Sequence, residues 1–235
     1  MQAVILAGGL GTRLHPFTQV IPKPLLPIGE KSLLEIQIGH LREHGCTEIF
    51  LATNYKSDYV RNFFGDGSRY GVRLEISEEK IPLGTAGPVG LLRERLRKPF
   101  LLMNGDILSA TDFRKMYEFA LGQQADLTVG IKKLITPFAF GRITFEGDFV
   151  TKVEEKPSFE IMAIAGIYVM KPGIFSLIPE KQYFGMDTLI KGMLTSGRPI
   201  AKYAIEEYWL DIGQIPDFER AQEVYREHFA PQTHG

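Results

Sequence analysis

A single cysteine, Cys46, stands in 235 residues. An internal disulfide and any site built from several thiolates are excluded, which fits a reducing compartment. Excess charge is also lacking: 27 lysines and arginines against 28 aspartates and glutamates leave a formal charge of -1. No broad field points at nucleic acid or at an anionic membrane, so an anionic ligand has to be met by a local cluster of cations. No apolar run approaches the ~20 residues of a membrane span, and the amino terminus shows no charged region followed by an apolar core and cleavage site. The expectation is a soluble, unprocessed, cytoplasmic protein with neither a nucleic-acid nor a membrane partner. His15, His40, His44, His228 and His234 show no metal-ligand spacing. Low-complexity tracts, Ser/Gly linkers and internal repeats are missing, including any hexapeptide period at the carboxyl end. What remains is 44% hydrophobic, enough for one domain with a large core over residues 1–235.

Along the chain, Ala3 to Ala7 is an apolar run ending in Gly8-Gly9, a buried strand entering a tight turn. Ser32 reads as the N-cap of a helix through Leu33, Leu34, Ile36, Ile38 and Leu41, stopped by Gly45. Glu48 to Thr53 reads as a strand, Asp58 to Phe64 as a helix, Val72 to Ile76 as a strand, Gly90 to Arg97 as a helix and Pro99 to Met103 as a strand. Such β-α alternation predicts an α/β, Rossmann-like fold with a mostly parallel sheet flanked by helices. After Asp106 the pattern is richer in β structure. Ala125 to Ile131, Arg142 to Phe145, Phe149 to Val153 and Ile164 to Met170 are strand-like, and Gly147-Asp148 signals a hairpin.

Two neighbouring motifs carry chemistry. In Leu6-Ala7-Gly8-Gly9-Leu10-Gly11-Thr12-Arg13-Leu14, glycines follow a strand and a cation closes the loop. Backbone amides can converge there on phosphate oxygens, since no Cβ stands between main chain and ligand. The spacing is neither Gly-x-Gly-x-x-Gly nor a P-loop, and the acidic residue a dinucleotide site needs about 20 residues on is replaced by Pro22-Lys23-Pro24. That second motif holds a lysine on a stiffened backbone, preset for phosphate contact.

These segments resemble the nucleotide-sugar pyrophosphorylases, or sugar-phosphate nucleotidyltransferases. The likeness continues through Gly65-Asp66-Gly67-Ser68, Leu83-Gly84-Thr85-Ala86-Gly87, Asn104-Gly105-Asp106, Glu155-Lys156-Pro157, Ala165-Gly166-Ile167-Tyr168 and Trp209-Leu210-Asp211-Ile212-Gly213. It covers nearly the whole chain in order and spacing, and within the family it points to short bacterial and archaeal guanylyltransferases acting on mannose, heptose or amino-sugar 1-phosphates. The resemblance implies an enzyme that joins an NTP, with GTP favoured, to a sugar 1-phosphate using Mg2+ and releasing pyrophosphate. A nucleotide-binding part then occupies about 1–108 and a sugar-phosphate part about 109–230.

By the same resemblance Leu6, Ala7, Gly8, Gly9, Gly11, Thr12 and Arg13 hold the nucleotide together with Gly84 and Thr85. Arg13, Lys23 and Asp106 are the catalytic candidates, and Asp106 and Asp211 the metal ligands. Asn104, Gly141, Glu155, Lys156, Ala165 and Gly166 fall to the sugar phosphate. The physics agrees, because phosphoryl-group transfer relies on positioning and fixed positive charge, and an already anionic nucleophile needs no general base. Two hard oxygen ligands plus substrate phosphates are a usual way to hold magnesium. Taken alone, Lys152 to Lys156 reads as a solvated, mixed-sign hairpin edge, which only the resemblance promotes; Tyr208 and Trp209 could line a sugar pocket but read as core aromatics.

Glu79 occupies a position where thymidylyl relatives commonly carry glutamine. A carboxylate only accepts, which suits the donor edge of guanine, while an exposed charged turn of Glu78, Glu79 and Lys80 is an equal alternative. Ile164 stands where the family often has asparagine, so a sugar hydroxyl contact is missing and the sugar stays open. Three other readings stay in view: a dTTP- or CTP-dependent member of the family, a non-catalytic nucleotide-sugar sensor, and a transferase acting on another phosphorylated alcohol. Nothing in the pattern decides for or against a homo-oligomer.

Overall fold

In the first strand, β1 (Gln2–Leu6), Ala3 and Ile5 point to one side and Val4 to the other, and all three are buried. A strand covered on both faces belongs inside a sheet with helices above and below. The computed structural model describes residues 1–54 and 56–230. After β1, a helical turn α1 (Phe17–Val20) and a short hairpin of β2 (Pro27–Ile28) and β3 (Lys31–Ser32) lead into helix α2 (Leu33–Glu43). Ser32 caps α2 as expected, in a capping box: its side chain accepts from Glu35 N–H while the Glu35 carboxylate accepts from Ser32 N–H. Then come β4 (Glu48–Thr53), α3 (Ser57–Phe64), β5 (Arg73–Glu78), the turn α4 (Gly87–Gly90), β6 (Phe100–Asn104), β7 (Ile107–Ser109) and α5 (Phe113–Gly122).

The β-rich half supplies β8 (Leu127–Pro137), β9 (Arg142–Glu146), β10 (Phe149–Glu154) and β11 (Ser158–Met170). It ends with α6 (Met186–Thr195), β12 (Ile200–Ala204), β13 (Trp209–Asp211) and α7 (Ile215–His228). The central sheet runs β12-β8-β11-β6-β1-β4-β5. Every neighbouring pair is parallel except the two made by β11, which runs antiparallel to β6 and β8.

Side chains alternate between two apolar layers. Ile49, Leu51, Leu101 and Met103 join Leu34, Ile38, Phe64 and Phe113 under α2, α3 and α5. Phe50, Phe100 and Leu102 meet Val89, Met186 and Leu189 on the opposite face. A third cluster lies at the edge, where α7 lays Ala221 and Tyr225 against Leu14, Leu26, Ile28, Leu108 and Ile212.

The helix expected over Gly90 to Arg97 does not form. α4 stops at Gly90, and turns follow to Arg95. The Arg93 guanidinium takes the carbonyls of Gly90 at 3.3 Å and Ile178 at 3.1 Å, competing for the acceptor that another helical turn needs. The helices α5, α6 and α7, the strand β12 and the β7/β13 pair add to what the sequence pattern suggested.

Cys46 is buried at the end of the α2 layer, and burial pushes its thiol up to about 11. A thiol-specific reagent at pH 8 is expected to leave Cys46 unmodified in the native protein and to titrate it once denaturant is added. Rapid native labelling would show that this layer opens.

Candidate active site

Two adjacent parallel strands end side by side. Leu6 is registered against Asn104, so the glycine loop and the Asn104-Gly105-Asp106 turn share the carboxyl edge of the sheet, where open α/β folds place ligands. The turn leans on the loop. Gly105 N–H donates to the Leu6 carbonyl at 2.9 Å, and a Cβ on Gly105 would stand 2.5 Å from that oxygen, so the approach requires glycine. Gln37, from the buried face of α2, grips the turn from below: Nε2 donates to Asn104 O at 3.1 Å and Ile107 O at 2.8 Å. Its signal in the sequence is a polar residue inside the apolar stripe of α2.

β13 pairs antiparallel with β7, with Asp211 opposite Ile107, and Ile212 N–H donates to Asp106 O at 2.9 Å. Both candidate metal carboxylates therefore stand on neighbouring main chains. Lys23, only 7% exposed, donates from Nζ to Asp106 Oδ2 at 2.7 Å. A lysine so buried needs a partner to remain charged. The exposed Arg13 sends its guanidinium against Gly213, beside the Asp211 strand. The Asp211 carboxyl is raised above its ordinary value, first by partial desolvation and next by repulsion from Asp106. Lys23 and Arg13 pull it the other way without cancelling the shift.

Two mutually repelling hard-oxygen donors on adjoining main chains fit a divalent cation, which would relieve that repulsion. Among the described residues no group of three or more His, Cys, Asp or Glu side chains is arranged for a metal. A cation there would have two protein carboxylates and take its other oxygens from substrate.

A cavity of ≈ 390 Å³ opens above this edge, lined by Leu6, Gly8, Gly9, Asn104 and Asp106 together with Glu79, Gly84 and Thr85, and a Cβ on Gly8 would stand 3.2 Å from Glu79 Oε1. Leu10, Asn54, Pro82, Leu83 and Tyr183 complete the walls, and of these Asn54, Pro82 and Tyr183 had no motif to mark them. Ala7 is buried, and its N–H goes to Ala52 O at 2.7 Å, so that amide serves the sheet. Gly11 accepts the Thr18 hydroxyl at 2.8 Å and leads into the exposed turn of Thr12 and Arg13. The Thr85 hydroxyl accepts Met186 N–H at 2.8 Å and so anchors α6.

Glu79 is 9% exposed, unlike Glu78 and Lys80 beside it, which excludes the exposed-turn alternative for this residue. Its Oε2 accepts Leu83 N–H at 2.9 Å. Burial raises its carboxyl, against the lowering effect of that bond.

The residues expected to meet a sugar phosphate split into two groups. Gly166 lies against Asn104, where a Cβ would come within 2.7 Å of Nδ2, and Ala165 O accepts Trp209 Nε1–H at 2.8 Å. These three residues form a floor beside the carboxylates, and Trp209 packs on the core. Gly141, Glu155 and Lys156 are exposed on the arm made by β8 to β11, and none of them lines the cavity. Gly141 and Glu155 neighbour one another, and Lys156 takes the uncommon left-handed conformation, φ 45. Ile164 is half exposed opposite Ile131.

The chain matches the Nucleotidyl transferase family over residues 2–228. It is 34% identical over 227 residues to a mannose-1-phosphate guanyltransferase of Pichia angusta, covering 93% of this chain and 62% of that protein. The chain thus spans less than two thirds of such curated relatives. Among solved structures, HddC from Yersinia pseudotuberculosis complexed with GMP-PN superposes with a TM-score of 0.74 at 27% identity, covering 95% of this chain and 99% of that one. A Bacillus anthracis structure in complex with a sucrose superposes with a TM-score of 0.80 at 25% identity, over 99% of this chain and 98% of that one.

Because the folded state raises the Asp211 carboxyl, its charge opposes folding above that value and is neutral below the unfolded value of ~3.9. Asp211→Asn is therefore expected to raise the thermal midpoint of the ligand-free protein at pH 8, with the gain shrinking toward pH 4. A lower midpoint at pH 8 would mean that attraction to Lys23 and Arg13 outweighs desolvation.

Proposed function

This chain belongs to the nucleotidyl transferase family, and from that premise we propose that it transfers the nucleotidyl group of an NTP, GTP favoured, to a sugar 1-phosphate, yielding an NDP-sugar and pyrophosphate. The observation that carries this reading is the pairing of the buried Lys23 with Asp106, which lines the cavity together with Gly8 and Gly9, with Asp211 on the adjoining strand. In this reading one domain divides into a nucleotide-binding part of about 1–108 and a sugar-phosphate part of about 109–230, and works in the cytoplasm.

Gly8, Gly9, Gly11 and Thr12 cradle the triphosphate with backbone amides, and Arg13 and Lys23 neutralise the pyrophosphate as it departs. An oxygen of the sugar 1-phosphate attacks the α-phosphorus in line, the new P–O bond forms, and the bond to the bridging oxygen of the β-phosphate breaks. The electron pair leaves with pyrophosphate. Asn104, Ala165 and Gly166 orient the sugar, with Glu155 and Lys156 contributed by the arm. Asp106 and Asp211 would hold Mg2+, which supplies positive charge for the phosphate oxygens.

Glu79 is the base reader: Oε2 is already bonded to Leu83 N–H, so Oε1 is the better placed acceptor for a guanine donor. The name of the Pichia angusta relative supports guanine. Ile164 withholds an amide from the sugar, which leaves mannose, heptose and amino-sugar 1-phosphates as candidates.

Pyrophosphate release over a matrix of GTP, dTTP, UTP, CTP and ATP against mannose, glucose, glucosamine and heptose 1-phosphates is expected to be strongest in one GTP column. Silence throughout with nucleotide sugar still bound would favour a sensor. Asp106→Asn is expected to lower kcat at least ~100-fold; unchanged turnover would sink the carboxylate assignment. Glu79→Gln is expected to cost about 10-fold in kcat/KM for GTP while sparing pyrimidine nucleotides, and an unchanged base ranking would remove Glu79 from that role.

A further inference from the structure

Tyr183 is 71% exposed, yet it lines the same cavity as Glu79 and Gly84. It is the one aromatic ring among the described residues of that lining. Exposed tyrosines are ordinary on a surface, but this one is held in place. The segment carrying it is zipped to the Leu83–Gly87 loop. Phe184 N–H donates to Leu83 O at 2.9 Å, Ala86 and Gly87 N–H both reach Phe184 O at 3.0 and 2.9 Å, and Met186 N–H reaches Thr85 Oγ1 at 2.8 Å.

The contact is close. Gly84 has φ +80, and a Cβ there would stand 2.8 Å from Phe184 O and 3.3 Å from Tyr183 Cε2. The backbone at 84 thus lies close under the tyrosine segment, and one residue of the loop joins the two: Leu83 donates its N–H to Glu79, the residue assigned to the base edge, and accepts Phe184 N–H on its carbonyl. A nucleobase has a polar edge and two apolar faces, so a site that reads the edge with a carboxylate needs a separate surface for a face. A tyrosine supplies that at low entropic cost, since only two torsions are frozen.

We propose that Tyr183 is the wall against which the nucleobase lies, adding affinity for any base while Glu79 selects among bases. This rests on the nucleotidyl transfer reading above. No sequence pattern marks Tyr183, because its partner loop is a hundred residues earlier in the chain and only the backbone zipper joins them.

The test is calorimetric titration of GTP, ATP and inorganic tripolyphosphate into wild type, Tyr183→Phe and Tyr183→Ala, with Mg2+ and no sugar phosphate. Stacking of a base on an aromatic ring predicts that Tyr183→Ala weakens GTP and ATP by roughly 10- to 100-fold alike. Tyr183→Phe is expected to stay within about twofold, because the ring and not the hydroxyl acts. Tripolyphosphate binding is expected to be equal in all three proteins, which separates a lost stacking surface from a disturbed loop. In turnover the loss is expected in KM for GTP, with KM for the sugar phosphate unchanged. Equal GTP binding by wild type and Tyr183→Ala overturns the proposal while leaving the transferase reading intact, as does loss of tripolyphosphate binding in step with GTP. Wild type binding no nucleoside triphosphate at all overturns both.

Discussion

The parallel pairing of β1 with β6, registered so that Leu6 stands beside Asn104, is the constraint on which the rest of the site depends. Parallel neighbours point their carboxyl ends the same way, so the loops that leave them must share one edge. The glycine loop leaves β1 and the Asp106 turn leaves β6, and the Gly105 N–H to Leu6 carbonyl bond fastens one to the other. Had the register slipped by one residue, every side chain of β6 would have changed faces and Met103 and Leu102 would have exchanged layers. The apolar alternation that fills the two layers is thus the same thing that places the carboxylate.

On that edge the protein tolerates charge where a core would not. Lys23 is almost fully buried, and Asp106 compensates it. Asp211 is compensated less well: desolvation and Asp106 together outweigh Lys23 and Arg13. A site left with an unfavourable carboxylate is poised for a cation, at some cost to the ligand-free fold. The third apolar cluster supports this arrangement from outside. α7 seals Leu108 and Ile212, the neighbours of the two aspartates, with Ala221 and Tyr225, while Gln222 accepts Gly29 N–H and donates to Pro27 O.

Much of the first half was legible because its signals are local. Ser32 and Glu35 cap α2 within one turn, and the Glu48 to Thr53 strand is a continuous apolar run bounded by turn residues. The end of α4 was not legible, since it depends on Arg93 reaching the carbonyl of Ile178, far away in the chain. α7 had a readable stripe in Ile215, Phe218, Ala221 and Tyr225, but its mean character is polar and it needs the edge cluster to bury that stripe. The arm strands β8 and β11 ran longer than their apolar cores because pairing continues past the point where burial ends. In the site the glycine loop, Lys23, Asp106 and Asp211 were found through motifs. Gln37 left only a polar residue in the apolar stripe of α2 and Tyr183 left no mark, each being made specific by a distant backbone.

By itself the sequence determined the α/β alternation, the balanced charge that forces anion recognition into a local cluster, and the family, because strand periods, glycine spacing and short motifs are properties of contiguous residues. Only the tertiary structure decided that Lys23 is paired with Asp106, that Asp211 stands beside them under repulsion, that Glu79 is buried with one oxygen committed to Leu83, and that Glu155 and Lys156 ride on an exposed arm outside the cavity. Each of these is a relation between segments far apart in the chain, and burial, desolvation and hydrogen-bond partnership come into being only when those segments meet.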